Sequence, residues 1–436
     1  MPPLQGHNAG LSQIKNLFIS RFYRLLLLTI AVGLCLWTIR AVGAFGVSRL
    51  LVRFALATPD LEAAQKAIQL TPRDAQAHFA SAAVLSSLNR PAESAAELER
   101  AVALRPADHS LWLQLGLLRD QLGQTGAALA AFDESIKLAP FYARPRWQRG
   151  NLLLRTGQYG PAFKDLSQAA QSNPELVPAL IDLAWSLSKS DAGLTEEWAQ
   201  IKTDQRRLDF AKFLGGKGRP KEAIAQLRAV TVVSENVRRE MVERLMGQGA
   251  FAEAFEIWKA GRESELGNEQ SITRIYDGGF EAPLTFDAIG FGWRVPRNLK
   301  GASVSLNANQ PQSGSKNLRI DFSGDSNPGT ELVSQLILVR PSTRYQINFA
   351  SRAQDVVTGG MPLIVVTDAK GDRKRLGQSG PLAGSTGDWR VSSFEFTTSA
   401  TTTAVRLSLQ RESCSTSPCP IFGTVSLDSF SVAQLK

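Results

Sequence analysis

Histidine is nearly absent from this chain: His7, His78 and His109 are the only three in 436 residues. The local signatures of common enzymes are missing too, with no GxSxG, HExxH, Walker loop or GxGxxG anywhere. "GGKGRPKEA" at 215–223 sets glycines near a lysine without the phosphate-loop spacing, and fits a turn between helices. Cysteine is equally scarce, at three residues. Cys414 and Cys419 frame "CSTSPC" with no His or further Cys nearby to complete a zinc site, so a disulfide in an oxidising compartment is expected, with metal binding as its rival. These absences point away from catalysis. Only a carboxylate pair for glycoside hydrolysis would leave no local signature.

Acidic residues are missing from the first 59 positions, which hold Lys15, Arg21, Arg24, Arg40, Arg49 and Arg53. Six of the nine excess positive charges therefore lie at one end, and the remaining chain is close to balance. A nucleic-acid surface needs a basic stripe, so no nucleic-acid partner is expected. The clusters at Arg206 and Arg207, at Arg238 and Arg239, and at 373–375 read as solvated faces.

The basic end encloses "LLLLTIAVGLCLWTI", fifteen uncharged residues at 25–39, continued past Arg40 by "AVGAFGV". A spanning helix needs roughly 20 apolar residues, and Arg40 can snorkel toward headgroups. We expect a basic tail over 1–23 and a transmembrane helix over 24–46. A cleaved signal peptide and a buried core helix are the alternatives. Lysine and arginine flank the run almost equally, so the positive-inside rule is close to a tie. The cysteine pair favours a short cytoplasmic tail with the bulk outside, periplasmic in a bacterium.

Pro72, Pro106, Pro140 and Pro174 recur every 34 residues. On that register small residues align as Ser94, Ala128 and Ala162, and bulky ones as Leu98, Phe132 and Leu166. Ala101, Ser135 and Ala169 form a third column, and Ala82, Gly116 and Gly150 a fourth. Small side chains let paired helices approach, and the bulky residue fills the gap beside them. "RPAESAAELERAVALRP", "QTGAALAAFDESIKLAP" and "QYGPAFKDLSQAAQSNP" resemble the tetratricopeptide repeat family.

The later blocks are degenerate. "LVPALIDLAWSLSKS" fits a first helix with no good partner after it, and two further pairs carry the solenoid to about residue 260. We expect about six repeats over 47–260. The resemblance implies a concave groove for a protein partner, lined here by Arg144, Trp147, Asn151, Arg155 and Trp185, and suited to an acidic or aromatic segment. No lysine occupies the columns of the paired clamp that some family members use for chaperone tails.

After a linker at 261–273 the period becomes two: "NLRIDF", "LVSQLILV", "RYQINFAS", "LIVVTD", "RVSSFEFTT", "AVRLSLQR" and "TVSLDSFSV". Seven or eight such strands between Gly, Pro, Ser and Asn turns predict an antiparallel β-sandwich over 274–436. "DGGFE", "SGSKNLRIDF", "GDWRVSSFEFTT" and "GTVSLDSFSV", in that order, resemble the CenC-like carbohydrate-binding modules with a galactose-binding-like jelly roll. That resemblance implies a polysaccharide ligand and a structural calcium ion held by Glu281 and Asp428; no other cofactor is expected. Sugar rings stack on aromatic faces, and Phe291, Trp293, Tyr345 and Trp389 are the candidates.

The expected fold is thus a transmembrane helix, an α-solenoid and a β-sandwich, acting as a non-catalytic adaptor in envelope polysaccharide assembly, export or degradation. A scaffold binding protein alone and an accessory subunit of a glycoside-active enzyme are the alternatives.

Overall fold

A computed structural model describes residues 9–260, 262, 273–415 and 418–435. The ten-residue stretch 263–272, most of the expected linker, lies outside the described residues. The chain divides into two compact units, Met1–Gln200 and Ile201–Lys436. The first is entirely helical.

Its first helix, α1 (Ala9–Ala57), is one continuous element with two environments. From Tyr23 onward its side chains are exposed, and the first buried residue is Ser48, whose hydroxyl donates to the Ala67 carbonyl at 3.1 Å. Val52 and Ala55 then pack against α2 (Leu61–Leu70) and α3 (Ala75–Ser87). Tyr23–Ala57 is long and apolar enough to cross a membrane, and none of its most apolar stretch is buried. The last turns of this helix therefore belong to the first helical pair.

The pairs continue as α3 with α4 (Pro91–Leu104), α5 (His109–Gln121) with α6 (Thr125–Leu138), and α7 (Ala143–Arg155) with α8 (Tyr159–Ser172). Asp60, Asp74 and Asp108 cap α2, α3 and α5 by accepting from backbone N–H groups of the first turn. The columns read from the sequence are the packing columns. Ala128, Ala162, Phe132 and Leu166 are fully buried, and a Cβ on Gly116 would stand 2.6 Å from the Phe132 ring.

A further column performs one task with three chemistries. His78 Nε2, Trp112 Nε1 and Arg146 Nε, each 34 residues from the next, meet the carbonyls of Pro72, Pro106 and Pro140 at 3.0, 2.8 and 3.3 Å. These bonds tie each first helix to the turn before it. Helix α9 (Val177–Leu187), expected to lack a partner, has one in the short α10 (Ala192–Trp198). Trp198 of α10 stacks on Phe163 of α8 at 4.8 Å, so a ring ties this short pair to the one before it.

The second unit opens with α11 (Asp204–Gly216), α12 (Pro220–Arg228), α13 (Glu235–Gly247) and α14 (Phe251–Lys259). Seven helical pairs thus occur among the described residues, where about six were expected. The compact units separate at 200, ahead of these last two pairs, rather than where helices give way to strands. Aromatic packing accounts for the difference. Phe255 and Trp258 of α14 meet Tyr276 and Phe291 at 5.1 to 5.8 Å. Gly290, at φ 118°, gives Trp258 its space, since a Cβ there would lie 2.2 Å from the indole.

Among the described residues nine strands form two antiparallel sheets. The five-stranded sheet runs β1 (Ala302–Asn307), β2 (Asn317–Asp325), β9 (Pro420–Gln434), β4 (Arg344–Thr358), β7 (Arg390–Thr397). The four-stranded sheet runs β3 (Val333–Leu338), β8 (Ala404–Arg411), β5 (Pro362–Asp368), β6 (Arg375–Gln378). Alternate residues fill the core between them, including Leu318, Ile320, Ile347, Phe349, Val425 and Leu427 from the first sheet and Ile337, Val366 and Leu407 from the second.

The "DGGFE" motif closes one end of this core. Phe280 is fully buried, stacked on Trp293 at 4.8 Å and edge-on to Phe430. The Trp293 indole donates to the Asp277 carbonyl at 2.8 Å, and the Gln335 side-chain amide both donates to and accepts from the Tyr276 backbone. Cys414 and Cys419 are disulfide-bonded, with Cα atoms 5.9 Å apart.

Candidate ligand-binding face

The two sheets differ in what covers their outer faces. Strand β3 is buried at every position and β5 at all but its last. The five-stranded sheet instead presents an alternating outer row to solvent, so the open face of the sandwich lies there.

Strand register turns that face into a grid. Ser305 pairs with Arg319, Arg319 with Ser426, and Ser426 with Arg352. In the next row Ser303 pairs with Asp321, Asp321 with Thr424, and Thr424 with Gln354. A bulge in β4 follows, and the third row sets Ser323 beside Phe422 and Phe422 beside Val357. Phe422 is 51% exposed and Val357 69%. Beyond the first row, Ala350 and Asp428 share the same face but are buried beneath the 310–316 loop.

The polar rows are pre-ordered. Arg319 donates from Nε and Nη2 to the Asp321 carboxylate at 3.0 and 2.7 Å, and Thr424 Oγ1 donates to Asp321 Oδ1 at 2.8 Å. The guanidinium first, helped by that hydroxyl, holds the Asp321 carboxyl below its ordinary value. Arg352 Nη1 donates to Gln310 Oε1 at 2.7 Å, and its guanidinium lies 5.1 Å from the centre of the Trp389 ring. Trp389 Nε1 donates to the Gln310 carbonyl at 2.9 Å, fixing the half-buried ring at the sheet margin. Guanidinium, carboxylate, hydroxyl and amide groups thus lie between an exposed phenyl ring at one end and an indole at the other. That combination can hydrogen-bond hydroxyls and stack on a flat apolar ring.

The aromatic residues expected to carry this task mostly do another. Phe291 and Tyr345 are fully buried, and Trp293 is 7% exposed. The Tyr345 hydroxyl accepts from the Arg340 N–H at 2.8 Å and its ring stacks on Phe396 at 5.3 Å. A ring enclosed on both faces offers no surface to a ligand, so these three are core residues. Of the four candidates, Trp389 alone borders the open face. Phe422, Arg319, Asp321, Arg352 and Thr424 were not singled out in the sequence. Their signal was parity: in "IFGTVSLD" Ile421, Val425 and Leu427 point inward, so Phe422, Thr424 and Ser426 point out.

Glu281 and Asp428 hold the covering loop. Asp428 Oδ2 accepts from the Gln312 and Ser313 N–H groups at 2.8 and 3.2 Å, and Oδ1 from Ser429 at 2.6 Å. Glu281 Oε1 accepts from the N–H groups of Ser315 and Lys316, and Oε2 from the Ser315 hydroxyl. These contacts, the Ser315 hydroxyl foremost, lower the Glu281 carboxyl from its ordinary value, whereas burial raises that of Asp277. Calcium requires six to eight oxygen ligands, and N–H groups cannot serve. Among the described residues no cluster of three His, Cys, Asp or Glu side chains could hold a metal ion. Both carboxylates serve here as ties for the covering loop.

In the helical unit Arg144 is exposed, while Trp147 and Asn151 are half-buried. Arg155 is exposed and ion-paired to Asp120 at 2.5 Å, bridging α7 and α5. Trp185 is 7% exposed and packs within the solenoid, which removes it from any groove surface. A cleft of about 670 Å³ lies between α13, α14 and the opening of the sandwich. Two of the arginines lining it are ion-paired within the protein, Arg262 to Glu235 at 2.8 Å and Arg238 to the same carboxylate at 3.7 Å.

Comparison with known proteins bears mainly on the helices. The tetratricopeptide repeat family model matches residues 109–142, the α5–α6 pair. Protein FlbA of Caulobacter vibrioides is 30% identical over 101 residues, 23% of this chain, and the match spans 17% of that relative's length. Among solved structures, Pseudomonas aeruginosa pilF is 14% identical over 50% of this chain and 99% of that one, with a TM-score of 0.33. A crystal structure of MamA is 14% identical over 44% and 90%, with a TM-score of 0.27. A chain described as "CBM4 structure and function" is 16% identical over 37% and 99%, with a TM-score of 0.29. Residues 109–142 thus match a tetratricopeptide repeat, and the helical pairs around them form a solenoid of that type, followed by an antiparallel β-sandwich.

Proposed function

We propose that this protein is a non-catalytic, membrane-anchored scaffold whose solenoid holds a protein partner and whose sandwich binds an extracytoplasmic polysaccharide. The observation that carries the glycan half is the open outer face of the five-stranded sheet, with its polar rows and the exposed Phe422 ring. Pyranose rings combine apolar faces with equatorial hydroxyls, and this face offers a partner for each. The anchor rests on the exposed apolar stretch that begins at Tyr23 and ends where Ser48 becomes buried. The partner half rests on the repeat architecture, whose helical pairs stack into extended binding surfaces.

The test uses the full chain in detergent micelles, titrated with a panel of soluble plant, algal and bacterial polysaccharides. Saturable binding to one glycan class is expected. Silence across the panel from a folded chain would overturn the glycan half and leave a scaffold for proteins.

A further inference from the structure

The two arginines of the sheet face are in unequal electrical states. Arg319 is neutralised by Asp321, which takes two of its nitrogens. Arg352, across Ser426 in the same row, meets the neutral Gln310 amide and the Trp389 ring. No carboxylate among the described residues lies within ion-pairing distance of it, and it is half-buried. A guanidinium has five donors in a planar fork, and the Gln310 amide accepts only one of them. The Gln310 bond and the indole fix the plane of that fork in advance, which lowers the entropy lost on binding.

We infer that the ligand is an anionic, carboxylate-bearing polysaccharide, with a uronate carboxylate seated on Arg352 and a sugar about two to three units further along on the Phe422–Val357 row, four strand residues or about 13 Å away. This rests on the reading of the face as a glycan site and names its ligand class. A carboxylate matches the guanidinium fork in a paired hydrogen-bond geometry that a neutral hydroxyl cannot reproduce. It also supplies the one charge the row lacks. Arg319 positions hydroxyls from its Asp321 clamp, and the single uncompensated cation marks where the acid group sits.

The experiment compares oligomers of galacturonate, glucuronate and mannuronate with the same oligomers after reduction of their carboxyl groups, using the full chain in micelles. At least one uronate should bind about 10-fold more tightly than its reduced form. Arg352→Gln should erase most of that difference, bringing the uronate down toward the affinity of its reduced form, and Arg352→Lys should retain part of it. Raised salt should weaken the uronate selectively, because the pair is partly exposed. Equal affinity for both forms would overturn the anionic class while leaving the glycan face standing. Tighter binding of polyglutamate than of any uronate would overturn it in favour of an acidic peptide. Failure of every glycan to bind would overturn the inference together with the reading beneath it.

Discussion

A Cβ added at Gly116 of the solenoid would meet a side chain, the Phe132 ring, at 2.6 Å. At Gly278 of the sandwich it would meet the Phe430 carbonyl at 2.1 Å. Close approach at Gly116 is thus made against a side chain that can shift. At the sandwich opening it is backbone against backbone, reinforced by the Phe430 N–H donating to the Gly278 carbonyl at 2.9 Å. The solenoid should therefore tolerate local change, each pair resting on its neighbours, while the sandwich opening should not.

The sharpest test of that tolerance sets one repeat against another. Asp165, 3% exposed, accepts from Nε and Nη2 of Arg149, whose guanidinium is held well above its ordinary value chiefly by that bond. The matching positions one repeat earlier are the buried Leu115 and Ala131. Asp165→Ala should cost about 3 kcal/mol by leaving a largely buried cation short of its main partner. Adding Arg149→Leu, which copies the earlier repeat, should restore most of the loss in thermal unfolding. A double variant no more stable than the single one would sink this account.

Gly278→Ala should come next, at about 2–3 kcal/mol, with Gly116→Ala nearer 1–2 kcal/mol because a ring can yield where a carbonyl cannot. Gly279→Ala, whose Cβ would find nothing nearer than 3.7 Å, should be close to neutral. Reversal of the Gly278 and Gly279 effects in calorimetry would break the backbone explanation.

The smallest effect is with acid. The Glu281 carboxyl is lowered in the folded state, so its stabilisation is present above the ordinary glutamate value near 4.5 and lost as pH falls through the folded value. Asp277, raised by burial, works the other way, and acid relieves its cost. Glu281→Gln should flatten the fall in unfolding temperature between pH 5 and 3; an unchanged slope would show that the loop tie adds nothing.

How much of this was legible in the sequence follows the same divide. The solenoid register could be read because its close contacts need particular small and bulky residues every 34 positions. Helix α10 escaped because its 7 residues are half the 14 of the regular second helices, too few to carry the columns. In the sandwich, strands with strong alternation were visible, while the short β6 and the polar β1, "ASVSLN", were not. The aromatic candidates failed for a related reason. Residue type does not reveal which side of a sheet a ring faces; parity along the strand does, setting Tyr345 with Ile347 and Phe349 inside and Phe422 opposite Ile421 outside.

The central claim is that rings on the open face bind and rings in the core only hold the fold. It is tested most directly by measuring glycan affinity and unfolding temperature together for Phe422→Ala and Tyr345→Ala in the full chain. The account predicts that Phe422→Ala unfolds within about 2 °C of the parent yet loses roughly 10-fold or more in affinity. Tyr345→Ala should lose about 3–5 kcal/mol of stability. Undiminished binding by a folded Phe422→Ala protein would contradict it.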